Sequence, residues 1–190
     1  MTKYILHGGF TSVKNKLNET FYEECTKGLK DSSTVLFIYF AREDKDTLRL
    51  FEEDKKKILE TTEVKNLNMV IAGKEKFTEQ FQATDVVYIR GGDTKKLLET
   101  LKQFPRFVEG LDGKIIVGSS AGAYAFATCY HSGSRGGVHK GLGLLPIRII
   151  CHYQSEVLPA VDDAMKVIKE CDESLELVVL KDFEWKVLEK

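Results

Sequence analysis

The chain has 190 residues, of which 43% are hydrophobic and 30% are charged, and this composition is typical of a soluble globular protein rather than a disordered or membrane-embedded one. Its 28 basic and 29 acidic residues nearly cancel, so no basic excess indicates nucleic acid or an anionic membrane surface as a partner. The N-terminal apolar run is too short for a signal peptide, and no later run approaches the roughly 20 residues of a membrane span; we therefore expect one cytoplasmic domain covering residues 1–190.

Short apolar strands alternate with amphipathic segments along the first half of the chain. Residues 4–6 form a predicted strand that ends in the pair Gly8-Gly9, and 14–30 carries helical spacing. The units that follow are a strand at 34–40, a charged amphipathic segment at 42–61, a strand at 67–72, a short helix at 75–82, a strand at 85–89 and a helix at 95–103. This order predicts an α/β fold with a mostly parallel sheet sandwiched by helices.

Residues 114–123 contain the pattern on which the functional interpretation depends. A buried strand runs directly into Gly118-Ser119-Ser120-Ala121-Gly122, and the small residues of 121–128 then begin a helix. This is the order of a nucleophile elbow, where the serine has a strained backbone and only small residues fit beside it. Ser120 is therefore the candidate nucleophile. Ligands of parallel sheets bind at the carboxyl ends of the strands, so we expect Gly8-Gly9, Gly91-Gly92 and Ser120 to meet in one crevice.

The pattern is less regular after the elbow. The glycine-rich stretch 130–143 is predicted to be a loop or a ragged hairpin. A strand at 147–151 follows and ends at His152, and a helix is expected over 155–171 with Ser155 as its N-cap. Strands at 175–180 and 184–188 are predicted to form a closing hairpin that turns at 181–183.

A serine hydroxyl needs a base that takes its proton. Of the four histidines, His152 is favoured because it ends an apolar strand and follows the serine in chain order. His131 and His139 lie in the glycine-rich stretch and are weaker candidates, and His7 at the end of the first strand is a candidate for lining the pocket instead.

The oxyanion formed on attack needs two pre-aimed donors. The N–H of Ala121, which follows the nucleophile, is the first candidate, and Gly92 is the second. We expect Gly91, Asp93 and Thr94 beside them to contact substrate, with Asp93 or Thr94 capping the next helix.

No metal site or cofactor is expected from the sequence. Its cysteines are widely spaced, form no C-x-x-C pair and are expected to be free thiols in a reducing compartment: Cys25, Cys129, Cys151 and Cys171. The expected partner is a small peptide substrate rather than nucleic acid or a membrane, and a homodimer is left open.

The chain resembles the S51 peptidases, which include the aspartyl dipeptidase called peptidase E and the cyanophycinases. The motifs that carry the resemblance are Tyr88-Ile89-Arg90-Gly91-Gly92-Asp93-Thr94, Gly118-Ser119-Ser120-Ala121-Gly122-Ala123, and Gly141-Leu142-Gly143-Leu144-Leu145-Pro146 leading to His152-Tyr153. The resemblance implies a fold similar to the class I glutamine amidotransferases, with serine where those enzymes carry cysteine, and a peptide-bond hydrolase. It carries over Ser120 as nucleophile, His152 as base, and Gly92 with Ala121 as oxyanion donors.

The third catalytic residue is not apparent from the sequence, because no Asp or Glu occurs between Ala121 and Cys151. In the amidotransferases, which this fold resembles, the orienting glutamate lies two residues after the histidine, a position held here by Gln154. The nearest following carboxylate is Glu156. We expect Glu156 first and Gln154 second, with a carboxylate that is distant in sequence, such as Asp93, as a further candidate.

These observations predict a serine peptidase of small peptides, dipeptidase-like, that acts through an acyl-enzyme on Ser120. Two alternatives remain open. One is a catalytically weak homologue that binds a small amino-acid-like ligand, and the other is an esterase or amidase that acts on a non-peptide acyl group. The segment after His152 lacks the arginines of peptidase E, so specificity for an N-terminal aspartate is not carried over.

Overall fold

The computed structural model describes residues 1–158 and 163–190, which form ten strands and seven α-helices. The strands are β1 (Lys3–His7), β2 (Thr34–Ile38), β3 (Asn68–Ile71), β4 (Val86–Ile89), β5 (Ile115–Ser119), β6 (Ala127–His131), β7 (Val138–Lys140), β8 (Leu145–Ile150), β9 (Glu176–Val179) and β10 (Trp185–Glu189). The helices are α1 (Lys16–Thr26), α2 (Thr47–Thr61), α3 (Phe77–Gln82), α4 (Thr94–Leu101), α5 (Pro105–Glu109), α6 (Ala121–Phe126) and α7 (Ala164–Val167).

The strands form two sheets. The larger has the order β10-β1-β5-β4-β2-β3 and is parallel except for β10, which runs antiparallel to β1. The smaller has the order β7-β6-β8-β9, in which β7 alone is antiparallel to its neighbour. The predicted α/β fold with mostly parallel sheets flanked by helices is confirmed.

Successive side chains of the central strands enter different cores, as the two-residue period of a strand requires. On β2, Val35 and Phe37 pack with side chains of α1 and α2, whereas Leu36 and Ile38 pack with side chains of α3, α4 and α6. All four are buried. Because helices cover both faces of the large sheet, residues 35–38 of β2 and Val86–Ile89 of β4 are apolar at every position rather than at every second one.

The predicted closing hairpin is wrong. The strand β9 pairs in parallel with β8 in the small sheet, while β10 pairs with β1 in the large one. Residues 180–184 therefore cross from one sheet to the other, and both ends of the crossing are held by backbone hydrogen bonds: Leu180 N–H donates to the Ile150 carbonyl and Gly8 N–H donates to the Glu184 carbonyl. Two adjacent apolar runs do not by themselves show that they pair with each other.

Two other predicted segments differ from the structure. The prediction of a helix over 155–171 is wrong for the residues that are described. Residues 155–158 are not helical, and 159–162 lie outside the described residues. The α-helix covers Ala164–Val167 and is followed by a 3-10 turn at Ile168–Glu170. Ser155 does not cap this helix; its hydroxyl accepts from the N–H groups of Val157 and Leu158. The predicted loop or hairpin at 130–143 contributes the end of β6 and all of β7, which pair antiparallel.

The prediction of four free thiols is wrong for two of them. The sulfur atoms of Cys129 on β6 and Cys171 after the 3-10 turn lie within bonding distance, as in a disulfide. Cys25 and Cys151 are free and buried. Cys129 and Cys171 are 42 residues apart in sequence, so only the folded topology brings them together. Among the described residues, every helix is too short or too polar to traverse a lipid bilayer.

Candidate active site

Ser120 lies at the tight turn between β5 and α6. Its backbone has φ 49° and ψ −104°, a region that side-chain-bearing residues rarely adopt. Its N–H donates to the His7 carbonyl at 2.8 Å, and its carbonyl accepts from Tyr124 N–H at 2.9 Å. A Cβ at Gly118 would lie 2.5 Å from the α6 backbone, and a Cβ at Gly122 would lie 2.6 Å from the Ile89 carbonyl oxygen. The strained serine between two obligatory glycines has the geometry of a nucleophile elbow.

His152 follows β8 of the small sheet and faces Ser120. Its Nε2 lies 3.1 Å from the Ser120 Oγ. The imidazole fills the space where Gly9, at φ +133°, has no side chain, because a Cβ at Gly9 would overlap the ring. The edge of the ring also contacts Phe10, with 5.0 Å between ring centroids. The first glycine loop, Gly8-Gly9, therefore makes room for the His152 ring. As predicted, this loop lies close to Ser120.

Asp182 lies on the other side of the imidazole. Its Oδ1 is 2.7 Å from His152 Nδ1, and its Oδ2 accepts from the Ser155 hydroxyl at 2.6 Å. The carboxylate side chain is only 12% exposed. Because the oxygens of a carboxylate accept hydrogen bonds, we assign the proton of this contact to His152 Nδ1, and Nε2 is left to accept the Ser120 hydroxyl proton.

This contact corrects the prediction of the third residue. Glu156 and Gln154 are both exposed, and His152 Nδ1 is instead bonded to Asp182. Asp182 belongs to the 181–183 segment, which the sequence placed in a hairpin turn. The segment has no local motif, and its closeness to His152 follows from the crossing between the sheets.

The other histidines have different surroundings. His7 is fully buried, donates from Nε2 to Asn18 Oδ1 at 2.8 Å and accepts from Gly9 N–H at 2.9 Å. Burial lowers the pKa of His7 to about 4, although the Asn18 hydrogen bond opposes this. Its contact with Gly9 supports the first glycine loop. His139 Nε2 bonds the Gly136 carbonyl at 2.8 Å, and His131 is buried on β6.

The second glycine loop follows β4, beside Ser120. A Cβ at Gly91 would lie 3.0 Å from that of Ser120, so this loop and the elbow are in contact. Asp93 caps α4, since its side chain accepts from Lys96 N–H at 3.0 Å. Asp93 and Gly92 are exposed, and Thr94 is buried. Ala121 is the first residue of α6, so its N–H has no acceptor within the helix.

A buried ion pair anchors the strand end beneath this loop. Arg90 Nη1 lies 3.0 Å from Asp54 Oδ2, with side chains 7% and 1% exposed. The Asp54 carboxylate also accepts from the hydroxyls of Tyr22, Tyr39 and Tyr88. Burial raises the pKa of Asp54, and the positive charge of Arg90 opposes that rise. No local sequence pattern marks this cluster, because its members come from four separate elements.

Tyr124 on α6 connects the elbow to the strand that ends at His152. Its hydroxyl donates to the Cys151 carbonyl at 3.3 Å and accepts from Cys151 N–H at 3.2 Å. The same helix that begins at Ser120 therefore holds the backbone of the residue before His152. Within residues 1–158 and 163–190, no group of three or more His, Cys, Asp or Glu side chains could hold a metal ion.

Comparison with known proteins gives both a family and a fold. The model of peptidase family S51 matches residues 5–188 of this chain. A protein of Listeria monocytogenes EGD-e described as a candidate peptidase E has a solved structure with a TM-score of 0.67, 21% identity, and coverage of 99% of this chain and 97% of its own. A peptidase from an acI-B1 Actinobacterium has a TM-score of 0.70 at 18% identity, covering 99% and 83%. At these identities the two structures show the fold alone. A search of curated proteins found no match.

Proposed function

The chain belongs to peptidase family S51, and on that premise we propose that it is a serine peptidase that cleaves small peptides, dipeptidase-like, through an acyl-enzyme on Ser120. The observation that carries the proposal is a chain of two hydrogen bonds. Ser120 Oγ lies 3.1 Å from His152 Nε2, and His152 Nδ1 lies 2.7 Å from Asp182 Oδ1. Nucleophile, base and orienting carboxylate in this order match the arrangement of serine hydrolases.

In the first half of the reaction, the Ser120 hydroxyl attacks the scissile carbonyl carbon while His152 Nε2 takes its proton. The imidazolium then gives that proton to the leaving amine as the C–N bond breaks. Asp182 holds the ring in the tautomer that leaves Nε2 free and stabilises the positive charge that develops on it. In the second half, water attacks the acyl-enzyme ester while His152 Nε2 takes its proton. The bond between the acyl carbon and Ser120 Oγ then breaks, the imidazolium returns the proton to Oγ, and the acid product leaves.

The negative charge on the carbonyl oxygen needs donors that are in place before attack. Ala121 N–H at the start of α6 supplies one, and Gly92 N–H in the second glycine loop supplies the other. We assign Gly91, Asp93 and Thr94, which flank or follow Gly92, to substrate contact. The exposed carboxylate of Asp93 beside this loop suits a positively charged group such as a peptide amine.

The pairing of His152 with Asp182 favours an active enzyme over the catalytically weak homologue. A ligand-binding protein without chemistry would have no need for a serine held at φ 49° next to a carboxylate-oriented imidazole. An esterase or amidase would use the same residues, so the substrate alone separates it from a peptidase.

The test is labelling with a fluorophosphonate, with peptide mapping to locate the adduct. We expect labelling of Ser120 in the wild-type protein and none in Ser120→Ala. An intact wild-type protein that never reacts would refute the enzymatic proposal. A dipeptide library and a matched series of acyl esters would follow, and hydrolysis of esters without any peptide would refute the peptidase assignment while keeping the mechanism.

A further inference from the structure

We propose that Arg42 is a positioning residue of the oxyanion hole: by binding the Gly91 carbonyl, it fixes the Gly91–Gly92 peptide so that Gly92 N–H is aimed at the substrate. This inference rests on the proposed function of the Gly92 donor. The contact itself is present in the free protein, where Arg42 Nε donates to the Gly91 carbonyl oxygen at 2.5 Å.

The link between carbonyl and donor is geometrical. The Gly91 carbonyl and the Gly92 N–H belong to one planar trans peptide, so they point in opposite directions from it. A group that fixes the direction of the carbonyl therefore fixes the direction of the N–H. Arg42 contacts the side of this peptide opposite the donor, and it can orient the donor without approaching the substrate.

The peptide needs such a contact because it joins two glycines. Neither residue has a Cβ to restrict rotation of the peptide plane, and glycine backbones have many accessible conformations. Side chains are excluded here, since a Cβ at Gly92 would overlap the Ala41 carbonyl oxygen and one at Gly91 would lie 2.8 Å from the Ser119 carbonyl oxygen. The two glycines therefore let the loop pack closely beside Ser120, but they leave its backbone flexible. A contact from another part of the chain has to fix the orientation of the peptide.

The segment after β2 supplies that contact at two points. Ala41 carbonyl oxygen accepts from Asp93 N–H at 2.9 Å, on the far side of Gly92 from the Arg42 contact. Arg42 is itself held, because its N–H donates to the Tyr39 carbonyl and its carbonyl accepts from Lys96 Nζ at 2.7 Å. The adjacent residues Ala41 and Arg42 therefore hold the loop on both sides of Gly92, Arg42 as donor to the Gly91 carbonyl and Ala41 as acceptor from Asp93 N–H.

A charged donor also strengthens the effect. Hydrogen bonds from a guanidinium are stronger than those from a neutral group, and a polarised carbonyl makes the N–H of its own peptide a better donor. Partial burial, followed by the nearby charge of Arg90, lowers the pKa of Arg42, but a guanidinium remains protonated at all ordinary pH values. The contact is therefore expected to be independent of pH.

The experiment compares Arg42→Met with Arg49→Met. Arg49 is a neighbouring exposed arginine that pairs with Asp46 and Glu53, so its loss changes the charge equally but leaves Gly91 untouched. We expect Arg42→Met to lower kcat and the rate constant of phosphonylation of Ser120 by about 10- to 100-fold with little change in KM, as for a weakened oxyanion donor. Arg42→Lys retains one charged donor without the planar fork and should lie between. Arg49→Met should match the wild type.

The backbone amide of Gly92 gives a readout that does not need turnover. In the free protein, its NMR resonance should shift in Arg42→Met and stay in place in Arg49→Met. A Gly92 resonance that is unchanged in Arg42→Met and Arg42→Lys would overturn the positioning role. A rate constant of Ser120 phosphonylation in Arg42→Met within about twofold of the wild type would also overturn it, because removal of an oxyanion donor costs far more. A wild-type protein that does not label at Ser120 would instead refute the proposed function, and the amide shift would still test the Arg42 contact.

Discussion

Replacing Asp182 by asparagine should nearly abolish turnover while leaving the fold intact. The carboxylate accepts two hydrogen bonds, from His152 Nδ1–H at 2.7 Å and from the Ser155 hydroxyl at 2.6 Å. An asparagine has one acceptor oxygen and one NH₂ group, so it cannot replace both contacts. If its oxygen faces His152, the Ser155 hydroxyl loses its acceptor; if its NH₂ faces His152, the imidazole is driven into the tautomer that protonates Nε2.

The expected loss in kcat is about 10³- to 10⁴-fold, which corresponds to about 4–5.5 kcal/mol of transition-state stabilisation. Two contributions account for it: the wrong tautomer of His152, and the absence of a negative charge beside the imidazolium. The second is large here because the Asp182 side chain is only 12% exposed, so water screens it weakly. KM should change much less, since His152 lies between Asp182 and the Ser120 hydroxyl.

The assay is kcat and KM for a peptide found in the library screen, together with the rate constant of fluorophosphonate labelling of Ser120. Glu156→Gln and Gln154→Ala are the matched controls, because both side chains are exposed and close in sequence to His152. Both should keep wild-type rates. Asp182→Asn with more than about a tenth of the wild-type kcat, or an equal loss in Glu156→Gln, would refute the assignment of Asp182, given the 10³-fold or larger effect expected.

Three further predictions concern the supports of the site. His7 has a pKa of about 4 in the fold against about 6.5 when unfolded, so between these pH values only the unfolded chain binds a proton at His7. The free energy of unfolding, measured by urea titration, should therefore fall by up to about 3 kcal/mol as the pH drops through that window. In His7→Gln this dependence of the unfolding free energy on pH should be weaker. Gly9→Ala would push its methyl group into the His152 ring, and kcat should fall by about 100-fold or more, as for a misplaced catalytic group; Gly28→Ala, at φ +84° in open space, should alter stability alone. Tyr124→Phe leaves the Cys151 N–H without its acceptor and should lower the free energy of unfolding by about 1–3 kcal/mol in the same titrations; an unchanged value would contradict the bridging role.

The sequence was sufficient for those features that depend on local pattern. Ser120 is marked by glycines two residues to either side, because close packing at the elbow excludes any other residue there. The α/β fold follows from alternating apolar strands and amphipathic helices, and β4 was predicted at 85–89 against Val86–Ile89 observed. His152 was singled out because it ends a strand of this type.

The residues that the sequence did not identify act across long separations. Asp182 lies 30 residues after His152 and Arg42 lies 49 residues before Gly91. Neither belongs to a motif, and a surface arginine or a turn aspartate has many ordinary explanations. The predicted hairpin also gave no reason to consider Asp182, because pairing the last two strands with each other would place their turn, 181–183, away from the elbow. Parallel pairing of β9 with β8 brings that turn back to His152.

The two sheets meet at the proposed catalytic residues. Ser120 follows β5 of the large sheet, His152 follows β8 of the small sheet, and Asp182 lies on the crossing that leads from β9 to β10. Each sheet alone would hold an incomplete site, so the geometry depends on how the sheets are docked. Two connections support that docking. One is α6, which starts at the serine and binds the Cys151 backbone through Tyr124, and the other is the crossing, where Phe183 N–H donates to the Gly9 carbonyl. A change in either connection should therefore alter the 3.1 Å Ser120–His152 contact before it unfolds the protein, so loss of activity is expected to precede loss of structure.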